Sequence, residues 1–296
     1  MWILIAISGY LFFSINGLVD KLVLSKVNKP RVYAATVGTL GLLGLVFVFF
    51  GFSWPSIWII FVSLFAGMLY TLGLVPFYKA IKMGQTSRVV SFVGGFIPVF
   101  VLILASISGI ESLSSKQLIA FFVIIIGGIV ISYKKKKRGK PKLTFVWAAL
   151  GALLLGGFYF LSKYIFLESD FVSGFVIMRV GGFLGSLILF IYPQTLKLVL
   201  KEIKGRNKKS TQAKASLILI SQVSAAIAFV LVNYAISIGK VSLVNAMAGT
   251  QFAFLLILTL IFAKRFPQLK ENITKKVIIQ KSIAILLIAF GLYLLF

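Results

Sequence analysis

Ala80-Ile81-Lys82-Met83-Gly84-Gln85-Thr86-Ser87 closes one apolar run and opens the next, and Ala235-Ile236-Ser237-Ile238-Gly239-Lys240-Val241-Ser242 does the same later in the chain. Two further matches keep this order. Val19-Asp20-Lys21 faces Leu161-Ser162-Lys163, and Glu111-Ser112-Leu113-Ser114-Ser115-Lys116-Gln117-Leu118-Ile119 faces Glu271-Asn272-Ile273-Thr274-Lys275-Lys276-Val277-Ile278-Ile279. Three ordered matches read as a duplicated unit, with shared low complexity as the competing reading. Each half holds five apolar runs. Five is odd, so the second half enters a membrane from the opposite side, which defines an inverted-topology repeat.

Working outward, 60% of the 296 residues are hydrophobic and only 12% are charged, against about 25% charged in an ordinary soluble domain. A bilayer-crossing helix takes about 20 apolar residues. Ten spans fit: Met1 to Leu24, Arg31 to Phe52, Ser56 to Tyr78, Arg88 to Ser108, Leu113 to Tyr133, Thr144 to Leu167, Phe171 to Tyr192, Ala215 to Ile236, Val241 to Ala263 and Ile278 to Phe296. The expectation is an all-α membrane protein of ten transmembrane helices in two inverted five-helix repeats, residues 1–133 and 144–296, joined by a basic linker at 134–143. The first span has no basic leader and no small-residue cleavage pattern, so it is expected to stay in the mature protein.

There are 31 Lys and Arg against 6 Asp and Glu, with no His and no Cys. Imidazole bases, thiol nucleophiles, disulfides and the usual metal cages are thereby excluded. No catalytic residue, metal site or cofactor is expected, and the chain carries no P-loop. The charges fall in short runs between apolar stretches instead of on a basic soluble face, so nucleic acid is not the expected partner. Lys21, Lys26, Lys29 and Arg31, then Lys79, Lys82 and Arg88, the run Lys134 to Arg138, Lys197 to Lys214 and Lys264 to Lys281 share one side of the ten-span arrangement. The other side has little more than Lys116, Lys163 and Lys240. The basic side is cytoplasmic by the positive-inside rule, which puts both termini outside a cell membrane and leaves the basic loops facing anionic lipid head groups.

Polar residues within the spans are the candidate site. Arg179 stands near the middle of span seven, where an arginine costs about 3 kcal/mol on insertion scales. It reads either as a clamp for a substrate carboxylate or phosphate or as an anchor to a carbonyl or to Asp20. Tyr10, Ser14, Gly17 and Lys21 recur at helical spacing, and Gly156, Tyr159 and Lys163 repeat the last part of that stripe. Such a stripe lines a pathway, or its lysines snorkel. Asp20, Lys21 and Lys163 are the candidates for coupling or gating. Thr71 and Tyr78 in span three, Gln222 and Asn233 in span eight, and Asn245, Thr250 and Gln251 in span nine bind a small polar substrate or glue helices together. Gly94, Gly95 and Pro98 are candidates to break span four. Gly181-Gly182-Phe183-Leu184-Gly185 contains a Gly-x-x-x-Gly pair suited to close helix contact, including contact across a homodimer. Ser114-x-x-Gln117 reads as a capping box starting span five.

The chain resembles the ten-span EamA-like members of the drug/metabolite transporter superfamily. The resemblance rests on Ala-[Ile/Leu]-x-x-Gly at the ends of spans three and eight, the Gly109-Ile110-Glu111 turn after span four, a [Ser/Thr]-x-x-x-x-[Ile/Leu] entry to spans five and ten, and their Gly-rich ends. It implies a secondary transporter and not an enzyme, one that moves a small molecule such as an amino acid, nucleoside or organic anion by alternating access. A flippase of a lipid or lipid-linked sugar is the alternative.

Overall fold

The computed structural model describes residues 1–23, 30–84, 86–132, 141–198, 212–262 and 275–295, with side chains at all of these except 20–23, 86–88, 132, 141–142, 212–219 and 275–278. The side chains of Asp20 and Lys21, the run 134–138, the 199–211 loop and Glu271 therefore lie outside the described residues. The helices are α1 (Trp2–Val23), α2 (Pro30–Leu40) continued by a 3-10 segment (Gly41–Phe50), α3 (Ile57–Met83), α4 (Thr86–Ile107) and α5 (Ser115–Ser132). They are followed by α6 (Pro141–Glu168), α7 (Phe171–Phe190), α8 (Gln212–Ile238), α9 (Val241–Ala246), α10 (Ala248–Phe262) and α11 (Lys275–Leu295). No strand occurs among the described residues.

Among the described residues, eight stretches are long and apolar enough to cross a membrane, and two shorter apolar helices cover Ser115–Ile131 and Ile279–Leu295. The packing is that of a helical membrane protein. On α3 the large residues Trp58, Phe61 and Phe65 are exposed, while Ser63, Ala66 and Thr71 have no exposed surface. Water would reverse that pattern; lipid favours it, because tails solvate large apolar groups and small residues let backbones approach.

Local signals fix the ends. Pro30 and Pro141 occupy the first positions of α2 and α6, where the missing N–H is no loss. Gly51, at φ 98°, ends the 3-10 segment in the left-handed region open to glycine. The capping box of α5 forms as the spacing predicts: Ser114 Oγ accepts from the Gln117 amide at 3.3 Å and Gln117 Oε1 from the Ser114 amide at 3.1 Å. Span four, where Gly94, Gly95 and Pro98 suggest a break, runs as one helix. The interruption falls in span nine, where α9 ends at Ala246 and α10 begins at Ala248. Gly95 instead serves close packing, since a Cβ there would lie 2.9 Å from Ile129 Cδ1.

Helices group into two compact units that do not follow sequence order. One comprises residues 1–26, 90–137 and 210–296, the other 27–89 and 138–209. In the second unit α3 lies antiparallel to α6 and alongside α7. A Cβ on Gly67 would fall on the Met178 carbonyl oxygen, and one on Gly181 on that of Leu64, so the Gly181/Gly185 pair is used inside the chain. Thr71 Oγ1 ties the same contact by donating to the Gly182 carbonyl at 2.9 Å. Arg31, Lys79, Lys82 and Lys197 stand at one end of this unit, Glu168 and Asp170 at the other.

In the first unit α1 is antiparallel to α8, and α5 to α11. Gly9 presses on Val232 and Gly239 on Trp2, with would-be Cβ contacts of 2.8 Å each. Trp2, Leu113 and Leu295 all pack on the core of Phe121, Ile125, Leu243 and Ala246. Both chain ends therefore meet at the α4–α5 turn. There Gly109, at φ 69°, reverses the chain, and the buried Glu111 accepts from the Ser242 amide at 3.3 Å and from its hydroxyl. Its carboxylate thus serves the first-turn donors of α9, as a capping residue would.

Asp170 caps α7 and holds the far end of the 3-10 segment. Its Oδ1 accepts from the Ser173 amide at 2.8 Å and its Oδ2 from Ser53 Oγ at 2.9 Å, while the Ser53 amide donates to Ser173 Oγ at 2.8 Å. Partial burial pushes the Asp170 carboxyl up, but hydrogen bonds from Ser173, Ser53 and the Val172 amide together outweigh it and leave it below its ordinary value. A carboxylate with a lowered native pKa contributes stability that is complete above its unfolded value, about 3.9, and is lost as pH falls through the native value. Asp170→Ala is expected to cost about 1 kcal/mol at neutral pH. In detergent melts the gap to the parent should hold down to about pH 4 and close below it; a gap that widens on acidification would contradict this assignment.

Candidate functional site

Arg179 is buried on α7, and the 3-10 segment explains how. With three residues per turn, Gly41, Gly44 and Phe47 share one edge of that segment. The two glycines form a trough for the arginine stem: a Cβ on Gly44 would lie 2.7 Å from Arg179 Cγ and one on Gly41 3.9 Å from Cδ. Phe47 closes edge-on against Phe175, ring centres 5.5 Å apart. The guanidinium carbon sits 5.2 Å from the Phe175 ring centre and 5.6 Å from that of Tyr70. Tyr70 on α3 packs on Phe158 of α6 with ring centres 4.9 Å apart, and Phe158 lies 5.1 Å from the ring centre of its neighbour Tyr159. Arg179, expected from sequence, thus lies against the π-faces of Phe175 and Tyr70, which favour a cation, and Tyr159, also expected, lies one ring beyond Tyr70's partner Phe158. Tyr70 was missed; its signal is a phenol beside Thr71 on the same mid-span turn.

The other expected residues of this unit serve different contacts. Thr71 is committed to Gly182, and Tyr78 packs against Tyr33 with ring centres 4.5 Å apart. Lys163 is buried on α6.

In the first unit Tyr10, Asn245 and Gln251, three of the expected residues, gather where α1 meets the α9–α10 interruption. A helix that stops leaves its last carbonyls unserved, and Tyr10 Oη donates to that of Val244 at 2.9 Å. Gln251 Nε2 reaches the Phe13 carbonyl at 3.5 Å, and Asn245 Nδ2 donates to Val241 at 2.8 Å. Asn16, not anticipated, donates to Ser221 Oγ at 2.8 Å. Ser14 donates to the Leu11 carbonyl at 2.6 Å, and Gln222 is exposed. Asn233 is fully buried; its Nδ2 donates to Phe229 at 2.9 Å, and its Oδ1 has no hydrogen-bond partner among the described residues. An amide oxygen in that condition costs stability unless something reaches it.

A cavity of about 910 Å³ opens at the basic end of the second unit. Arg31, Lys79, Lys82, Trp147, Tyr192 and Thr195 line it. The Arg31 guanidinium lies 4.2 Å above the Tyr192 ring centre and Lys79 Nζ 3.5 Å above that of Trp147. Sequence reasoning assigned these cations to membrane orientation. The missed signal is Lys79 and Lys82 at i, i+3 on one face of α3, together with aromatic residues at span ends.

No family model matches the chain, and no curated protein matches it in sequence. Its fold is similar to that of a solved structure described only as "Crystal structure of protein", at 14% identity with a TM-score of 0.70, over 99% of this chain and 94% of the other. The likeness is one of fold, spanning nearly the whole of both chains.

Proposed function

We propose that this protein is a ten-span secondary transporter of the drug/metabolite type, built from two inverted five-span repeats in the cell membrane. On this reading it moves a small polar or anionic metabolite by alternating access. One observation carries the reading. The alignment that pairs Lys21 with Lys163 and Gly84 with Gly239 also pairs Gly9 with Gly151, Trp2 with Thr144, and Val232 with Phe77. In one unit Gly9 presses on Val232 and Gly239 on Trp2; in the other Gly151 presses on Phe77 and Gly84 on Thr144, with would-be Cβ contacts of 2.9 and 2.5 Å. Two sequence-related helix pairs thus cross at the same related positions, which low complexity gives no reason to expect. Rocking of such repeats against each other is the usual engine of alternating access. The 3-10 segment over Arg179 is a candidate moving part, because runs beyond three or four residues are uncommon and often mark hinges.

The test is uptake of labelled amino acids, nucleosides and organic acids by proteoliposomes, with a lipid-scrambling assay beside it. Accumulation of a water-soluble solute supports the transporter; scrambling without uptake favours the flippase. Orientation has its own check, since the chain has no native cysteine. In intact cells an impermeant maleimide should label Ser112→Cys, whereas Gln194→Cys should label only after permeabilisation. The reverse pattern would overturn the placement of both termini outside.

A further inference from the structure

We propose that the cavity at the basic end of the second unit is a binding site for a phosphate-bearing anion carried on an apolar body. The proposal is independent of whether the protein transports anything. The last two turns of α3 present Val75, Lys79, Lys82 and Met83 to the cavity at i, i+4, i+7 and i+8, a single helical face. Lys79 and Lys82 stand three residues apart on that face, close enough for one anion to reach both. Arg31 adds a third cation from the first turn of α2, where the helix dipole is also positive.

No acidic side chain lines the cavity among the described residues, and Glu168 and Asp170 stand at the opposite end of the unit. A phosphate offers more oxygens than a carboxylate to the arginine fork and the two ammonium groups, and a monoester also brings up to about two negative charges. The rings of Tyr192 and Trp147 stack on Arg31 and Lys79 and fix where their charges stand at the cavity wall. Val32, Val75, Met83 and Leu198 supply apolar wall for the rest of the ligand. A phospholipid head group and a soluble phosphate ester share this chemistry.

Trp147 is a reporter inside the site, so the test uses the full chain in detergent with the other three tryptophans, Trp2, Trp54 and Trp58, changed to Phe. Its fluorescence is followed during titration with dioctanoyl phosphatidylglycerol, dioctanoyl phosphatidylcholine and glycerol 3-phosphate. The expected result is a saturable change with phosphatidylglycerol and none with phosphatidylcholine over the same range. Arg31→Gln/Lys79→Gln should weaken binding at least about tenfold, as loss of charge-assisted hydrogen bonds implies, while Arg31→Lys/Lys79→Arg stays within about threefold. Saturation by glycerol 3-phosphate as well assigns the site to a soluble ester, and saturation by the lipid alone assigns it to a head group; both support the proposal. Equal responses to the two lipids, or parental binding by the glutamine pair, overturn it. Should the glutamine pair fail to fold, the lipid discrimination of the parent decides alone.

Discussion

Gly67→Val is expected to abolish the folded protein. A Cβ at Gly67 would fall on the Met178 carbonyl oxygen, 2.6 Å from the Gly182 nitrogen and 2.8 Å from the Gly181 carbonyl carbon, all backbone atoms of α7. Flexible side chains can turn away from an added methyl; a helix backbone cannot. α3 and α7 must separate, which strips the Thr71 to Gly182 hydrogen bond and the dispersion contacts that hold membrane helices together once the hydrophobic drive is gone. Overpacking usually costs about 1–3 kcal/mol, and this site offers none of the usual relief, so the loss should exceed about 3 kcal/mol. Gly157→Ala is the contrasting case. Its Cβ would sit 3.6 Å from Leu69 Cδ1, an ordinary contact, and replacing a mid-helix glycine should be neutral or gain up to about 1 kcal/mol. Melting and gel filtration in detergent measure both. A Gly67→Val protein that melts within a few degrees of its parent would mean that α3 and α7 do not approach as described.

The contrast shows what sequence could and could not say. Apolar runs announce helices, and Ser114-x-x-Gln117, Pro30 and Pro141 mark where they start, because those signals are local and their chemistry does not depend on neighbours. Which face of a helix is buried is another matter. In water the apolar face turns inward and its periodicity tells; on α3 the buried face is Ser63, Ala66, Gly67 and Thr71 while Trp58, Phe61 and Phe65 face outward. Hydropathy runs high all round such a helix, so partners are hidden. The interleaving of the two units followed from that blindness, since neither α1 against α8 nor α3 against α6 is a sequence neighbour. The 3-10 stretch was equally invisible: Gly41, Gly44 and Phe47 align only once the turn is three residues, and nothing in a run of Gly, Leu, Val and Phe announces that winding. For the site, an isolated arginine in an apolar span was legible by cost alone. Its surroundings were not, because Tyr70 and Tyr159 come from helices whose facing sides could not be assigned. The cavity cations were visible as charges, but membrane orientation already accounted for them.

Arg179→Gln is expected to leave the fold standing and to reduce uptake of an anionic substrate at least about tenfold, the equivalent of roughly 1.4 kcal/mol. The two halves of that expectation have different causes. A cation in mid-membrane costs about 3 kcal/mol, so a shorter neutral amide relieves a burden even as it gives up contacts with the Phe175 and Tyr70 rings and part of the trough at Gly41 and Gly44. Those losses and that relief oppose each other, and the melting temperature should move little. On the proposed transport reading, recognition of an anion has no such compensation, because the anion needs the positive charge itself. Arg179→Lys separates charge from shape: the ammonium keeps the sign but lacks the planar fork and stacks less well on the phenol and phenyl rings. It should therefore transport at an intermediate rate, with the deficit in apparent affinity. Proteoliposome uptake with an anionic and a neutral substrate reads all three proteins. The effect should be confined to the anion, since a neutral solute gains nothing from the guanidinium. If Arg179→Gln melts normally and carries the anion at the parental rate, Arg179 is an anchor holding α7 to the 3-10 segment, and the substrate's charge must be met elsewhere.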